Sequence, residues 1–264
     1  MTTMRLIAMR QASDIIRSRW VMAYALFFAA ATEGLLRFAG GDVRALLSLA
    51  NAMLFVTPLV TIVFGTVYLY NAREFIELLL AQPVRRRDLF GGLYLGLTAT
   101  LVAAWLVGVG VPFLLHGSFL TAGASRTLLV LLATGAALTA SFTALATLVV
   151  VRVDDRLKGL GVAIATWFVL ALLYDGVVLL VVSLSGDRNI EPMMLVLMAL
   201  NPVDLARVLV LLQLDVAALL GYTGAVFTRI FAGPAGAALG ALVLSLWIAA
   251  PLALAARLFR QKDF

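Results

Sequence analysis

The stretch AMLFVTPLVTIVFGTVYLYNAREFIELLLAQPVRRRDLF, Ala52–Phe90, decides the class of this fold. Its first half, Ala52–Tyr70, carries no charged side chain, and a helix needs only about 20 such residues to cross a hydrocarbon core. Its second half turns abruptly basic, with Arg73, Arg85, Arg86 and Arg87. Five more apolar runs of similar length accompany it: Trp20–Phe38, Leu93–Leu115, Thr127–Val151, Gly159–Ser183 and Ala235–Ala256. Of the 20 Lys and Arg residues, 14 fall in the N-terminal arm, the second-to-third and fourth-to-fifth connections and the C-terminal tail, against six elsewhere. The acidic residues divide evenly, so Lys and Arg alone set the bias. The positive-inside rule then predicts six spans with both termini cytoplasmic.

Composition excludes much else. A mean hydropathy of +1.07 rules out an ordinary soluble domain. The net charge of +6 needs no nucleic-acid partner, because anionic lipid at the cytoplasmic leaflet would meet it. Without cysteine there is no disulfide framework, thiolate metal site or iron–sulfur cluster. One histidine, His116, allows no multi-histidine metal site within a chain and leaves little room for a Ser–His hydrolase. Lys158 and Lys262 both lack the glycine spacing of a P-loop, so any ATP must be bound by another chain. No cleavable signal peptide is expected, since the first span follows a polar arm, lacks a small-residue cleavage pattern and is long enough to remain.

The expected fold is all-α: one transmembrane domain, 1–264. Residues 4–17 have a helical period, with Met4, Ile7 and Ile15 on one face and Arg10, Asp14 and Arg17 on the other. They read as an interfacial elbow within 1–19, or as a basic flank that orients the first span. Asn51 could cap span two, and Pro58 predicts a bend in it. The stretch 71–92 reads as a helix, a stop at Pro83 and a second short helix. Leu78, Leu79 and Leu80 are too apolar for a free loop and need burial. Gly108, Gly110 and Pro112 mark close packing or a kink in span three. The mixed charges of 152–158 read as a solvated face.

The 184–234 segment is strongly apolar in places yet carries Asp204, Arg207 and Asp215. Each would cost roughly 2.5–3.5 kcal/mol at mid-membrane, which argues against a seventh span. It is therefore expected to form an extracytoplasmic, partly interfacial helical cap. Asn201-Pro202-Val203-Asp204 is a helix-start signal within it.

Glu77, Leu78, Leu79, Leu80, Pro83, Val84 and Arg86 together resemble the Glu-Leu-Leu-Leu-x-x-Pro-Val-x-Arg run after the second span of ABC-2-type permeases. Tyr174-Asp175 and Leu200-Asn201-Pro202-x-Asp204 resemble a narrower branch, which includes the permease of the nitrous-oxide-reductase maturation complex. The chain departs from the family pattern at Phe75-Ile76 and Gly92-Leu93. The resemblance implies a homodimer in the bacterial inner membrane. It implies two cytoplasmic ATPase subunits, which bind ATP and Mg and dock between spans two and three. It also implies transmission of ATPase motion to an extracytoplasmic protein partner, plausibly a copper-delivery protein. No cofactor, catalytic residue or metal ligand is assigned to this chain. Export of a lipid, peptide or other hydrophobic small molecule is the alternative, and an ATPase-independent channel or receptor a further one. A membrane-embedded enzyme lacks a convergent nucleophile and base.

The candidate ATPase-coupling residues are Glu77, Leu78, Leu79, Pro83, Val84, Arg85, Arg86, Arg87 and Asp88; the Arg run could instead anchor phospholipid. Asp175 and Glu33 are the candidate intramembrane polar residues, Asp175 as a functional group or a structural ion pair, and Glu33 paired with Arg37 one turn on. The candidate partner or dimer surface comprises Asn201, Asp204, Arg207, Val210, Leu214 and Tyr222. Met193, Met194 and Met198 have the softness to suit Cu(I) but sit in an apolar helix, where methionine packs.

Overall fold

The structure is a computed structural model that describes residues 9, 12, 15, 18–39, 42–80, 85–116, 122–185, 191–213 and 233–261. Among these the order is α1 Arg19–Phe38, α2 Asp42–Asn71, α3 Arg73–Leu80, α4 Arg86–His116, α5 Ala122–Arg152, α6 Arg156–Phe168, a π-helical turn Val169–Leu173, α7 Tyr174–Ser185, α8 Glu191–Ala199, α9 Pro202–Gln213 and α10 Pro234–Gln261. No strand occurs among the described residues. Among the described residues six helical stretches are long and apolar enough to span a membrane, α6 to α7 counting as one. They correspond to the six runs read from the sequence, each reaching further into its connections. Arg19, Arg73, Arg85–Arg87, Arg152, Arg156 and Arg257 then share one end of the bundle, the Arg-rich end.

Central to the packing is α5, which meets α2, α4, α9 and α10. Its polar side chains are turned inward on their own backbone: Thr134, Thr139, Ser141, Thr143 and Thr147 each donate to the carbonyl four residues before. Those hydroxyls are satisfied without a neighbour, so small side chains can let other helices approach closely. Trp105 of α4 uses that room. Its ring lies over Gly135, where any Cβ would strike it, its Nε1 donates to the Leu132 carbonyl at 3.2 Å, and its face meets Phe28 of α1 edge-on at 4.7 Å. Gly108 serves the α1–α4 contact likewise, since a Cβ there would sit 2.7 Å from the Ala25 carbonyl oxygen.

Three expectations change. Asn51 does not cap span two; α2 begins at Asp42 and runs unbroken through Asn51 and Pro58, so the first-to-second connection is mostly helix. The second short helix of the 71–92 stretch has no separate existence: Arg86, Arg87 and Asp88 are the first turn of α4. Of the N-terminal arm before Ser18, Met9, Ala12 and Ile15 are described, all helical, with Ile15 buried in the core.

The third change is the largest. The described part of the segment expected as an exterior cap, 191–213, folds into the bundle as a hairpin, α8 and α9 bent by 109° at Leu200-Asn201. Its tip is level with the middle of two spans. Asn201 Nδ2 donates to the carbonyl of Leu170, halfway along Arg156–Leu184. Trp247, halfway along Ala235–Gln261, donates from Nε1 to the Ala199 carbonyl at 2.9 Å. From that tip α9 returns to the end opposite the Arg-rich one, where Thr127 Oγ1 donates to the Gln213 carbonyl at 3.1 Å. The charge penalty counted against insertion assumed isolated ions, and here Asp204 and Arg207 are paired, while Asp215 lies outside the described residues.

Candidate functional site

At the hairpin tip, four residues that the sequence placed in two separate groups come together. Asn201 is fully buried and opens α9: its Oδ1 accepts the Val203 amide at 3.0 Å. With Pro202 at the first helical position, this is the start signal read from the sequence. The amide nitrogen of Asn201 holds both the Leu170 carbonyl at 2.8 Å and Asp204 Oδ2 at 3.1 Å. One turn along, Arg207 reaches two carboxylates. Its Nη1 donates to Asp175 Oδ1 and Oδ2 at 3.0 and 3.1 Å and lies 3.2 Å from Asp204 Oδ1. Two acids share one guanidinium, half-exposed at Asp175 and mostly buried at Asp204.

The π turn explains why span five meets the tip here. In it Tyr174 N–H bonds the Val169 carbonyl, five residues back. Such a widened turn loosens the carbonyl ladder where a side chain inserts. Asn201 inserts at Leu170, and Tyr174 Oη donates to the Leu197 carbonyl at 2.6 Å. Asp175 follows directly. Beside the three charges a cleft of about 480 Å³ opens, walled by Val178, Leu179, Val182, Met194, Met198 and Leu211. Met194 and Met198 are buried in an apolar cluster with Leu205, Val208 and Leu244.

The proposed surface on this segment needs correction. Asn201 and Val210 are buried at 0% and 1% exposure and form no surface. Burying Val210 helps seat α9 against the main core, alongside Val203 and Ala206. Leu214 and Tyr222 lie outside the described residues.

At the Arg-rich end, α3 has two unlike faces. Ile76 is buried with Leu89, Phe90, Leu93, Ala255 and Phe259, joining α3 to α4 and α10. Leu78 is 68% exposed. Pro83 and Val84, and the side chains of Glu77 and Leu79, lie outside the described residues. Arg85 ends the connection, its carbonyl accepting the Asp88 and Leu89 amides, and Asp88 places a carboxylate in the first turn of α4, where the helix dipole favours it.

Sequence reasoning passed over Arg73, which anchors α3. Its guanidinium donates to the carbonyls of Val150, Val153 and Asp154 at 2.8–3.1 Å, closing the end of α5, and stacks over the Tyr70 ring at 4.9 Å. Tyr70 Oη donates to the Val153 carbonyl at 2.8 Å, over Gly159, where a Cβ would collide with it. The loop read as solvated also holds a cap, Asp155 accepting the Lys158 amide at 2.8 Å. No local signal marked Arg73, because its partners are carbonyls some 80 residues away. At the opposite end Glu33 accepts from Arg37 Nε at 2.6 Å and has His116 Nδ1 at 3.4 Å.

These features can be set beside known proteins. The model of a family described as ABC-2 family transporter protein matches residues 31–264. The chain belongs to that family. Two relatives, each called probable ABC transporter permease protein NosY, come from Pseudomonas aeruginosa and Stutzerimonas stutzeri. They are 30% and 28% identical, with 97% of each chain covered. This ABC-2 permease is thus a multi-pass membrane protein, and its family implies a cytoplasmic ATPase as partner.

Proposed function

We propose that this chain is the transmembrane subunit of an ABC transporter that works as a homodimer and is driven by two cytoplasmic ATPase subunits docking on α3. The observation that carries the reading is the two-faced anchoring of α3. Arg73 ties its start to α5 and Ile76 ties its middle to α4 and α10, while Leu78 points outward. A push on the exposed face therefore loads three spans at once. Glu77, Leu79, Pro83, Val84, Arg85 and Asp88 belong to the same docking stretch in this reading. α5 and α10 both reach the inserted hairpin, through Thr127–Gln213 and Trp247–Ala199, so motion entering at α3 arrives at the Asn201 tip and the Asp175–Arg207–Asp204 cluster. Spans five and six support the dimer: only 11% and 17% of their most apolar windows are buried in one chain, against 22% for span one and about half for spans two to four. The homodimer would close over those faces.

Relatives named NosY, together with Tyr174-Asp175 and the Asn201-Pro202-x-Asp204 motif, favour work on an extracytoplasmic partner in nitrous oxide reductase maturation, a copper enzyme. The cleft beside Asp175 favours a second reading, export of a hydrophobic small molecule. ATPase docking is common to both.

The test compares the two faces of α3. Burying one Leu is worth roughly 1.5–3 kcal/mol, about 10- to 100-fold in affinity. Leu78→Asp is expected to lower ATPase co-purification by that factor while the variant permease keeps its melting temperature. Ile76→Asp should instead destabilise the permease by roughly 3–5 kcal/mol through an uncompensated buried charge. Full ATPase assembly and stimulation with Leu78→Asp would refute the docking assignment.

A further inference from the structure

At the hairpin tip the two acids present more oxygens than the donors around them serve. Arg207 Nη1 carries two protons, and Asp175 takes both, through bonds to Oδ1 and Oδ2 at 3.0 and 3.1 Å. Asp204 Oδ1 lies 3.2 Å from the same nitrogen, yet it is buried and accepts no hydrogen bond. Its sister oxygen is served, since Asn201 Nδ2 donates to Asp204 Oδ2 at 3.1 Å. Leaving a buried carboxylate oxygen without a donor is costly. What stands beside it is another acid, for the Asp175 carboxyl is within hydrogen-bonding reach of Asp204. Two carboxyl groups bond to each other only when one of them carries a proton.

Among the described residues the polar groups facing the pair are Arg207, Asn201 and Tyr174, and each is committed. Tyr174 Oη donates to the Leu197 carbonyl, and Asn201 Nδ2 to Leu170 and Asp204 Oδ2. The helices packed against α9 bring no charge to this level. α2 is uncharged from Ala45 to Asn71, α5 from Thr127 to Val151 and α10 from Pro234 to Ala256, while α8 has Glu191 at the end away from the tip. We propose that Asp175 and Asp204 form a proton-binding site, in which Asp204 Oδ1 carries the proton and donates it to Asp175. One carboxylate then meets one guanidinium, the pairing that suits mid-span depth. The proton belongs to the pair, and it latches α9 to span five. Both acids line the cleft beside the tip, which gives the proton a way out that avoids the apolar core. Losing it sets two carboxylates against each other and loosens the latch.

The sign of the pH dependence follows. An ordinary aspartic acid, with a pKa of about 3.9, is almost fully ionised by about pH 6. The latched site therefore holds, at neutral pH, a proton that the unfolded chain has released. Stability falls as pH rises until the proton leaves, by at most about ten-fold in the unfolding equilibrium per pH unit. None of this rests on the ATPase reading.

The experiment follows the C=O stretch of a protonated carboxyl by infrared spectroscopy, on the full-length permease in nanodiscs at neutral pH. The unaltered chain should show the band. Asp204→Asn should remove it, because the new amide supplies an N–H to Asp175 in place of the proton. Asp175→Asn should remove it too, since Asp204 then meets Arg207 as the one carboxylate. Asp155→Asn, in the loop at the Arg-rich end, should leave it in place. A band that survives in either tip variant, or is missing from the unaltered chain, overturns the proposal. Unfolding measured against pH gives a second readout. Alkaline pH should destabilise the unaltered chain relative to Asp204→Asn, and parallel pH dependence in the two would contradict the site. Carbon-13 NMR of the unaltered permease, labelled at its aspartate carboxyls, covers variants that do not fold. One carboxyl held at the protonated shift at neutral pH, and ionised at alkaline pH, supports the site; carboxyls all ionised at neutral pH contradict it. Leu78→Asp should leave the band unchanged, so this proposal and the docking one fail separately.

Discussion

Arg207 is the residue on which the inserted hairpin depends. It is the cation that two carboxylates of the cluster meet, Asp175 from span five and Asp204 from its own helix. Removing it leaves two carboxyl groups beside each other at mid-span with no cation, whereas removing all three charges leaves a polar but neutral site. Breaking hydrogen bonds to charged groups costs about 1.5–3 kcal/mol. Arg207→Met should therefore lower the stability of the detergent-solubilised permease by about that amount. Adding Asp175→Asn and Asp204→Asn to it should recover most of the loss, as thermal unfolding can show. No recovery would mean that Arg207 acts through packing and not through charge. The sequence marked Asp175 as an intramembrane acid with a choice between function and ion pairing. It could not supply the partner, because Arg207 lies 32 residues away in a segment whose own charges argued for exclusion from the bilayer.

Among the elements, the α8–α9 hairpin was half legible. Its start was: Asn201 as cap and Pro202 as first helical residue follow from local chemistry, and the Asn201–Val203 bond realises them. Its depth was not. Single-residue insertion costs add as though each charge met lipid alone, while Asp175, Asp204 and Arg207 meet one another. The same limit hid Arg73, whose three carbonyl acceptors belong to the end of a distant helix. The six spans, by contrast, rest on uninterrupted apolar length and were legible almost whole. The hairpin gives a prediction of its own. Asn201→Ala removes the cap and strips Leu170 and Asp204 of their donor, an expected loss of about 2–4 kcal/mol from the two effects together. Native-state proteolysis should then cut within 191–213 faster than in the unaltered chain. Unchanged protection there would show that the apolar burial of Val203, Ala206 and Val210 holds the hairpin without the tip bonds.

At the scale of the molecule, the account needs one end of the bundle to receive force and the other to deliver it, which fixes orientation. The basic-residue split predicts that the Arg-rich end is cytoplasmic. The natural absence of cysteine makes that directly measurable. Leu157 and Phe38 are highly exposed at opposite ends, at 81% and 87%. A single cysteine replacing Leu157 should label only from the cytoplasmic side, and one replacing Phe38 only from outside. The reverse pattern would invert the topology and remove α3 from reach of any cytoplasmic ATPase.

Transmission itself is tested by a spin label at a single cysteine replacing Leu200, which is exposed beside the hairpin tip. In the proposed homodimer assembled with its ATPases, the distance between the two labels is read without nucleotide and with ATP bound to hydrolysis-deficient ATPase subunits. The account predicts a shifted distance distribution with ATP, and no shift when Leu78→Asp is present in the same chain. An identical distribution in both states, with ATP demonstrably bound and the complex intact, would contradict it.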